Sequence, residues 1–266
     1  MEINRIYCAD NVDFMKENIP SNFIDLTVTS PPYDNLRAYN GYSWDFEGVA
    51  QELYRITKNG GVVVWVVGDA TVKGSETGTS FKQALYFKEI GFNLHDTMIW
   101  NKGTAPFQHK NRYVNCFEYM FVLSKGRPKT HNLIQDKKNK WAGTQVHGTE
   151  RQVNGLTKKM NVVQKSKQVK EFGNRLNIWE LSPVKNNATN HPAPFPEQLA
   201  ADHIISWSNE GDIVFDPFCG SGTTCKMAVL NNRNYLGIEI SQSYYDIACK
   251  RIDDHKEETN DLPAEN

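Results

Sequence analysis

The chain has 266 residues, 39% of them hydrophobic, and a formal net charge of −1, which fits one α/β domain carrying an insertion and does not mark a uniformly basic nucleic-acid binder. Its five cysteines (Cys8, Cys116, Cys219, Cys225 and Cys249) are odd in number and form no C-x-x-C pair, so neither a disulfide framework nor a structural metal site is expected, and a reducing compartment is. No apolar run approaches bilayer length, and the opening Met1-Glu2-Ile3-Asn4-Arg5 has no signal pattern, so a cytoplasmic protein without membrane attachment is expected.

Arg5 to Cys8 reads as a short strand. A helix follows near residues 11–19, with Asn11 as its cap and Pro20 as its stop. Phe23 to Val28 is the next strand, ending in Thr29-Ser30-Pro31-Pro32-Tyr33. Helix resumes near residues 46–58, with Asn59-Gly60-Gly61 as a stop signal. The unbroken run Val62 to Val67 marks a strand covered on both faces. A helix over 80–90, capped by Ser80, precedes strands at Thr97 to Trp100 and Tyr119 to Leu123. Only about twenty residues without helical period join these two, which suggests an antiparallel pair at a sheet edge.

Composition then changes. Residues 127–175 hold twelve Lys and Arg against three acids, with few large apolar residues, so a solvated or disordered insertion and a nucleic-acid surface are both consistent with it. From residue 190 the α/β pattern returns: a helix from Pro196 to Trp207, a strand at Ile213 to Phe215, a helix from Gly222 to Leu230, a strand at Tyr235 to Glu239, and a last helix from Gln242 to Ile252 before an acidic tail expected to fray.

Two strand ends carry the chemistry. Asp216-Pro217-Phe218-Cys219-Gly220-Ser221-Gly222-Thr223-Thr224 places glycines, which allow close backbone approach, just before a helix whose free N–H groups face the loop. Glu239, one βα unit later, can accept both hydroxyl hydrogens of a ribose. The spacing is neither the three-glycine dinucleotide fingerprint nor a P-loop, and a nucleoside with a small polar tail fits better. At the other end, Pro31 and Pro32 remove two N–H donors and fix two φ angles. Rigid acceptors near Ser30 and Pro31, with Tyr33 as a stacking face, suit an amino group on an aromatic ring. Acceptors aimed at that amine stabilise charge developing on nitrogen during alkylation.

These motifs resemble those of the S-adenosylmethionine-dependent DNA amino-methyltransferases in the beta arrangement. There the Pro-Pro-Tyr segment precedes the target-recognition region and the Phe-x-Gly-x-Gly segment follows it. The resemblance implies a Rossmann-like sheet of seven mostly parallel strands with one antiparallel edge strand, in circularly permuted motif order. It implies a catalytic half over 1–126, a basic target-recognition insertion over 127–190, a cofactor-binding half over 191–252 and a flexible tail over 253–266. Ser30, Pro31, Pro32 and Tyr33 match the catalytic segment. Asp216, Phe218, Gly220, Ser221, Gly222, Thr223 and Glu239 match the cofactor positions. Asp10 looks like the acid that contacts the cofactor adenine, although a helix cap explains it equally well. His191 to Pro196 resembles the segment beside the methionine part of the cofactor. Trp100 and Lys102 resemble the region that holds the extruded base, though Trp100 also suits a strand core. Lys137, Lys138, Lys140, Arg151, Lys158 and Lys159 would contact double-stranded DNA. Such enzymes turn the target base out of the duplex.

No Pro-Cys pair occurs, and Cys219 lies inside the glycine loop, which excludes carbon-5 methylation through a cysteine nucleophile. Serine rather than aspartate at position 30 leans toward cytosine N4 within the family, with adenine N6 as the alternative. An RNA or protein-amide methyltransferase and a non-catalytic DNA-binding module are the rivals. A homodimer and a cognate restriction endonuclease are partners the resemblance allows, in a prokaryotic or phage-like setting.

Overall fold

The computed structural model describes residues 1–32, 44–103, 110–146, 148–159, 167–184 and 195–260. Contacts divide the chain into two compact units, residues 1–132 with 177–266, and residues 133–176.

In chain order the larger unit begins with β1 (Arg5–Cys8), α1 (Asn11–Asn18), β2 (Ile24–Thr29), α2 (Phe46–Ile56), β3 (Thr57–Val67), the small hairpin β4 (Thr71–Val72) and β5 (Ser75–Glu76), α3 (Thr79–Glu89), β6 (Asn93–Asn101) and β7 (Phe117–Ser124). The smaller unit holds β8 (Lys137–Lys138), β9 (Thr149–Arg151), β10 (Thr157–Lys159) and β11 (Phe172–Gly173). The larger unit then resumes with β12 (Ile178–Glu180), α4 (Glu197–Trp207), β13 (Ile213–Asp216), α5 (Thr223–Leu230), β14 (Asn234–Glu239) and α6 (Gln242–Asn260). Its main sheet has eight strands in the order β1-β14-β13-β2-β3-β7-β6-β12. The pairs β1–β14, β14–β13, β13–β2, β2–β3 and β6–β12 are parallel. Among the described residues, β7 alone runs against its neighbours, β3 and β6.

β3 shows why the sheet forms. Side chains alternate across a strand, and in β3 both faces are dry. Val62, Val64 and Val66 pack with Leu199, Ile204, Ala228 and Ala248 from α4, α5 and α6. Val63, Trp65 and Val67 pack with Met15, Leu53 and Phe87 from α1, α2 and α3. None of these six β3 residues exceeds 1% exposure, which is why the segment reads as a continuous apolar run rather than an alternating one.

The mostly parallel, Rossmann-like sheet agrees with the sequence reading, and several details differ. Among the described residues the sheet has eight strands rather than seven. Its antiparallel strand β7 lies inside, because β6 pairs outside it and β12 pairs outside β6. β12 has only three residues, too few for a periodic signal, yet its Trp179 is 6% exposed. Asn59-Gly60-Gly61 does not stop α2, which ends at Ile56; these residues lie within β3. Gly60 has φ +83° and exchanges backbone hydrogen bonds with Lys125 and Lys129, and the β2–β3 register shifts between Ile24 and Leu26. The glycine pair therefore makes a strand irregularity instead of a helix cap. Asp10, not Asn11, caps α1, accepting from the N–H groups of Val12 and Asp13. Gly78, not Ser80, is the cap residue of α3; the Ser80 hydroxyl and N–H both donate to Asp69. The last helix continues past Ile252 to Asn260.

Among the described residues the smaller unit contains three pieces of antiparallel pairing. β8 pairs with β11, β9 pairs with β10, and Gln145 bridges to Gln168. Backbone bonds between its two limbs, such as Asn139 to Glu171 at 2.8 Å and Val169 to Thr144 at 2.9 Å, hold it. An Arg175–Asp136 ion pair joins the same limbs and keeps the Asp136 carboxyl below its ordinary value.

Candidate active site

β14, β13, β2 and β3 are successive parallel neighbours, so the segments that leave them emerge at one edge of the sheet. This is the edge where open α/β sheets bind ligands. The glycine loop leaves β13, the Ser30–Pro32 turn leaves β2, and Glu239 ends β14.

The first two are tied at their roots. Thr29, the last residue of β2, donates its hydroxyl to Asp216 Oδ1 at 2.7 Å, and Asp216 is the last residue of β13. The Phe218 N–H donates to the same oxygen at 3.0 Å. The Thr224 hydroxyl donates to the Val28 carbonyl at 3.0 Å, which fixes the start of α5 to β2. Two segments nearly two hundred residues apart in sequence thus share one buried polar strut. Asp216 is 1% exposed, and burial drives its carboxyl up to about 7 even though the bonds from the Thr29 hydroxyl and the Phe218 N–H favour the ionised form.

Glu239 faces the glycine loop. Its Oε2 accepts from the Gly220 N–H at 2.8 Å and its Oε1 from the Ser241 N–H at 2.9 Å. Burial raises its carboxyl while those backbone donors lower it. A carboxylate has about four lone-pair sites, so acceptor capacity remains beside the Gly220, Ser241 and Ile240 backbone donors. Gly222 is the cap residue of α5 in the left-handed region, φ +82°, and among the described residues no side chain caps this helix end. A Cβ there would lie 3.0 Å from the Ala248 Cβ, so both backbone angle and packing demand glycine. From α6, Arg251 donates to the Ser221 carbonyl and, at 3.1 Å, to the Ser221 hydroxyl. Its other nitrogen reaches Glu197 at 2.8 Å, and Lys226 reaches the same carboxylate oxygen at 2.8 Å. These two cations hold the Glu197 carboxyl below its ordinary value against the opposing effect of burial. The network fastens the glycine loop to the first turn of α4. On the other side, the Phe218 ring meets Trp44 edge-on at 5.0 Å, and Trp44 lies 6.1 Å from Trp65.

Other residues singled out from the sequence fall as follows. Ser30 and Pro32 are half-buried and Pro31 is buried. Tyr33 and 191–194 lie outside the described residues, while Phe195 and Pro196 are buried at the head of α4. Asp10 is exposed two residues beyond Cys8, which pairs with Glu239, and its Oδ1 accepts from Val12 and Asp13. Trp100 is 4% exposed and its indole N–H donates to the Leu181 carbonyl at 2.7 Å, as a strand-core residue would. Lys102 follows β6, forms an ion pair with Glu118, and its ammonium lies 5.2 Å from the Trp100 ring centre. Lys137, Lys138, Lys140, Arg151, Lys158 and Lys159 all belong to the smaller unit and are exposed. Reading the sequence missed Thr29 and Arg251. The signal for Thr29 was a hydroxyl at the buried end of an apolar strand; Arg251 left none, because only folding brings α6 to the loop.

The fold and this edge define a Rossmann-like α/β protein with a nucleoside-type loop beside a Pro-Pro turn. Comparison with known proteins gives the family. A family described as DNA methylase, of the N6/N4 type, matches residues 24–250, and the chain belongs to it. It is 62% identical over 248 residues to the orphan methyltransferase M.BamHII of Bacillus amyloliquefaciens, covering 90% of this chain and 92% of that one. It is similar in structure to TTHA0409 of Thermus thermophilus in complex with S-adenosyl-L-methionine (TM-score 0.61, 25% identity, 93% of this chain and 94% of that chain). It also shares its fold with the cytosine-N4-specific PvuII DNA methyltransferase (TM-score 0.66, 20% identity, 92% and 85% covered).

Proposed function

We propose that the protein transfers the methyl group of S-adenosylmethionine to the exocyclic amine of a base turned out of double-stranded DNA, and that this amine is cytosine N4. The residues fit such a cofactor. Glu239 keeps acceptor positions for ribose hydroxyls beside the loop it braces, and the uncapped start of α5 offers backbone donors to a carboxylate. When bound, the cofactor supplies an electrophilic sulfonium methyl group. Gly220 to Thr223 and Glu239 hold it, with Arg251 positioning Ser221. Pro31 and Pro32 offer no N–H, so the turn presents acceptors to the amine protons and stabilises positive charge developing on nitrogen. The family resemblance assigns stacking on the base to Tyr33, which lies outside the described residues.

One observation supports this reading: the Thr29–Asp216 bond ties the Ser30–Pro32 turn and the glycine loop at adjacent strand ends. Serine at position 30 favours cytosine. The smaller unit, which lies within the insertion expected over 127–190, reads the target, and a homodimer or a restriction partner is compatible with this arrangement. The test incubates DNA with methyl-labelled cofactor, digests it to nucleosides and identifies the labelled one. Label in N4-methylcytosine is expected. Label only in N6-methyladenine would overturn the base assignment, and activity confined to RNA or protein would overturn the substrate class.

A further inference from the structure

The smaller unit carries an apolar tip that its own fold does not bury. β9 and β10 form a two-stranded ribbon with Thr157 opposite Arg151, Lys158 opposite Glu150 and Lys159 opposite Thr149. The connecting turn is well braced. Gln152 donates to the Leu156 carbonyl at 2.7 Å, Gly155 donates to the Gln152 carbonyl at 2.9 Å, and the Leu156 N–H donates to the Asn154 side chain at 3.1 Å. On this turn Val153 is fully exposed (110%) and Leu156 is 68% exposed. A ribbon of two three-residue strands has no interior, so folding gives these side chains nothing to pack against. Among the described residues nothing covers them, which leaves them open to a partner.

The strands say what kind of partner. Because side chains alternate, Thr149 and Arg151 share a face with their cross-strand partners Lys159 and Thr157. That face bears two cations, two hydroxyls and no acid. The opposite face carries Glu150 against Lys158, which offset one another. One uncompensated basic face leading to an apolar tip complements a polyanion with an apolar interior. A two-stranded ribbon also matches the width of the DNA major groove, where thymine methyl groups offer an apolar surface.

We propose that the β9–β10 hairpin enters the major groove of the target duplex. Arg151 and Lys159 contact phosphates, and Val153 and Leu156 pack against base edges and thymine methyls as part of sequence reading. The inference rests on the DNA-methylating function proposed above and deepens it by naming the reading element.

The test uses the full chain and its methylated target, identified by modification-sensitive sequencing, against a shuffled duplex. R151A/K159A should weaken binding to both duplexes and reduce the salt dependence by about two phosphate contacts. V153S/L156S should keep the wild-type salt dependence and reduce discrimination between target and shuffled duplex about tenfold. Unchanged cofactor affinity in both variants would show that the larger unit is intact. A single V153S variant, losing a smaller share of discrimination, covers the case where the double variant does not express. Unchanged discrimination in V153S/L156S, or an unchanged salt slope in R151A/K159A, would overturn the inference. So would a shift in oligomeric state with discrimination intact, since a second copy would then cover the tip. If the wild-type chain labels no DNA at all, the methylation reading fails, a result distinct from failure of the hairpin's role.

Discussion

Asp216 should make the protein less stable as pH rises through neutrality, and Asp216→Asn should remove that dependence. The carboxyl is buried, and its value moves from 3.8 to about 7. Between those values the folded protein keeps a proton that the unfolded chain has released. The stability linked to the protonated form is therefore complete below about pH 3.8 and is lost as pH rises through about 7. Asparagine keeps an oxygen that can accept from Thr29 and Phe218 and carries no charge. From pH 5 to pH 8 the wild type should lose roughly 2–3 kcal/mol relative to D216N. Urea unfolding of both proteins at each pH unit measures this difference, and other titrating groups cancel between them. Parallel profiles, or a wild type that gains on D216N with rising pH, would refute the argument that burial dominates at this position.

Three further outcomes follow from the loop. Arg251→Ala should raise the dissociation constant for S-adenosylmethionine roughly tenfold, because a charged donor to Ser221 is lost; Arg251→Lys should recover part of this, and calorimetry reads both. Gly222→Val should abolish cofactor binding, since φ +82° and the 3.0 Å approach to Ala248 leave no room for a branched side chain; calorimetry alongside circular dichroism checks it. Thr29→Val leaves Asp216 without one of its donors, should cost about 1–3 kcal/mol of stability, and should lower turnover by loosening the join between the two turns, as denaturation and single-turnover assays would show.

The strands that build the sheet core were legible because burial on both faces leaves an apolar run, as in Val62 to Val67, and the two candidate loops at the strand ends stood out because glycine and proline constrain the backbone wherever they fall. Short-range signals misled where tertiary contacts overrode them. Asn59-Gly60-Gly61 has the composition of a helix stop, yet Lys125 and Lys129 hold it within β3. Asp69 takes Ser80 away from its capping role. β12 depends on pairing with β6, with Trp179 beside Trp100, and three residues carry no period by themselves. The Glu197–Lys226–Arg251 network joins three helices, a relation no spacing in the sequence encodes. Thr29 was visible as the neighbour of Ser30, but its partner Asp216 lies 187 positions away.

A structure of the full chain with S-adenosylmethionine and its target duplex tests the central claim most directly. The account predicts the cofactor ribose on Glu239, its sulfur over residues 218–222, and the methyl carbon about 3–3.5 Å from an amine nitrogen held at Ser30 and Pro31. A cofactor seated at another edge of the sheet, or a base amine that approaches the methyl from a side remote from the Ser30–Pro32 turn, would contradict it.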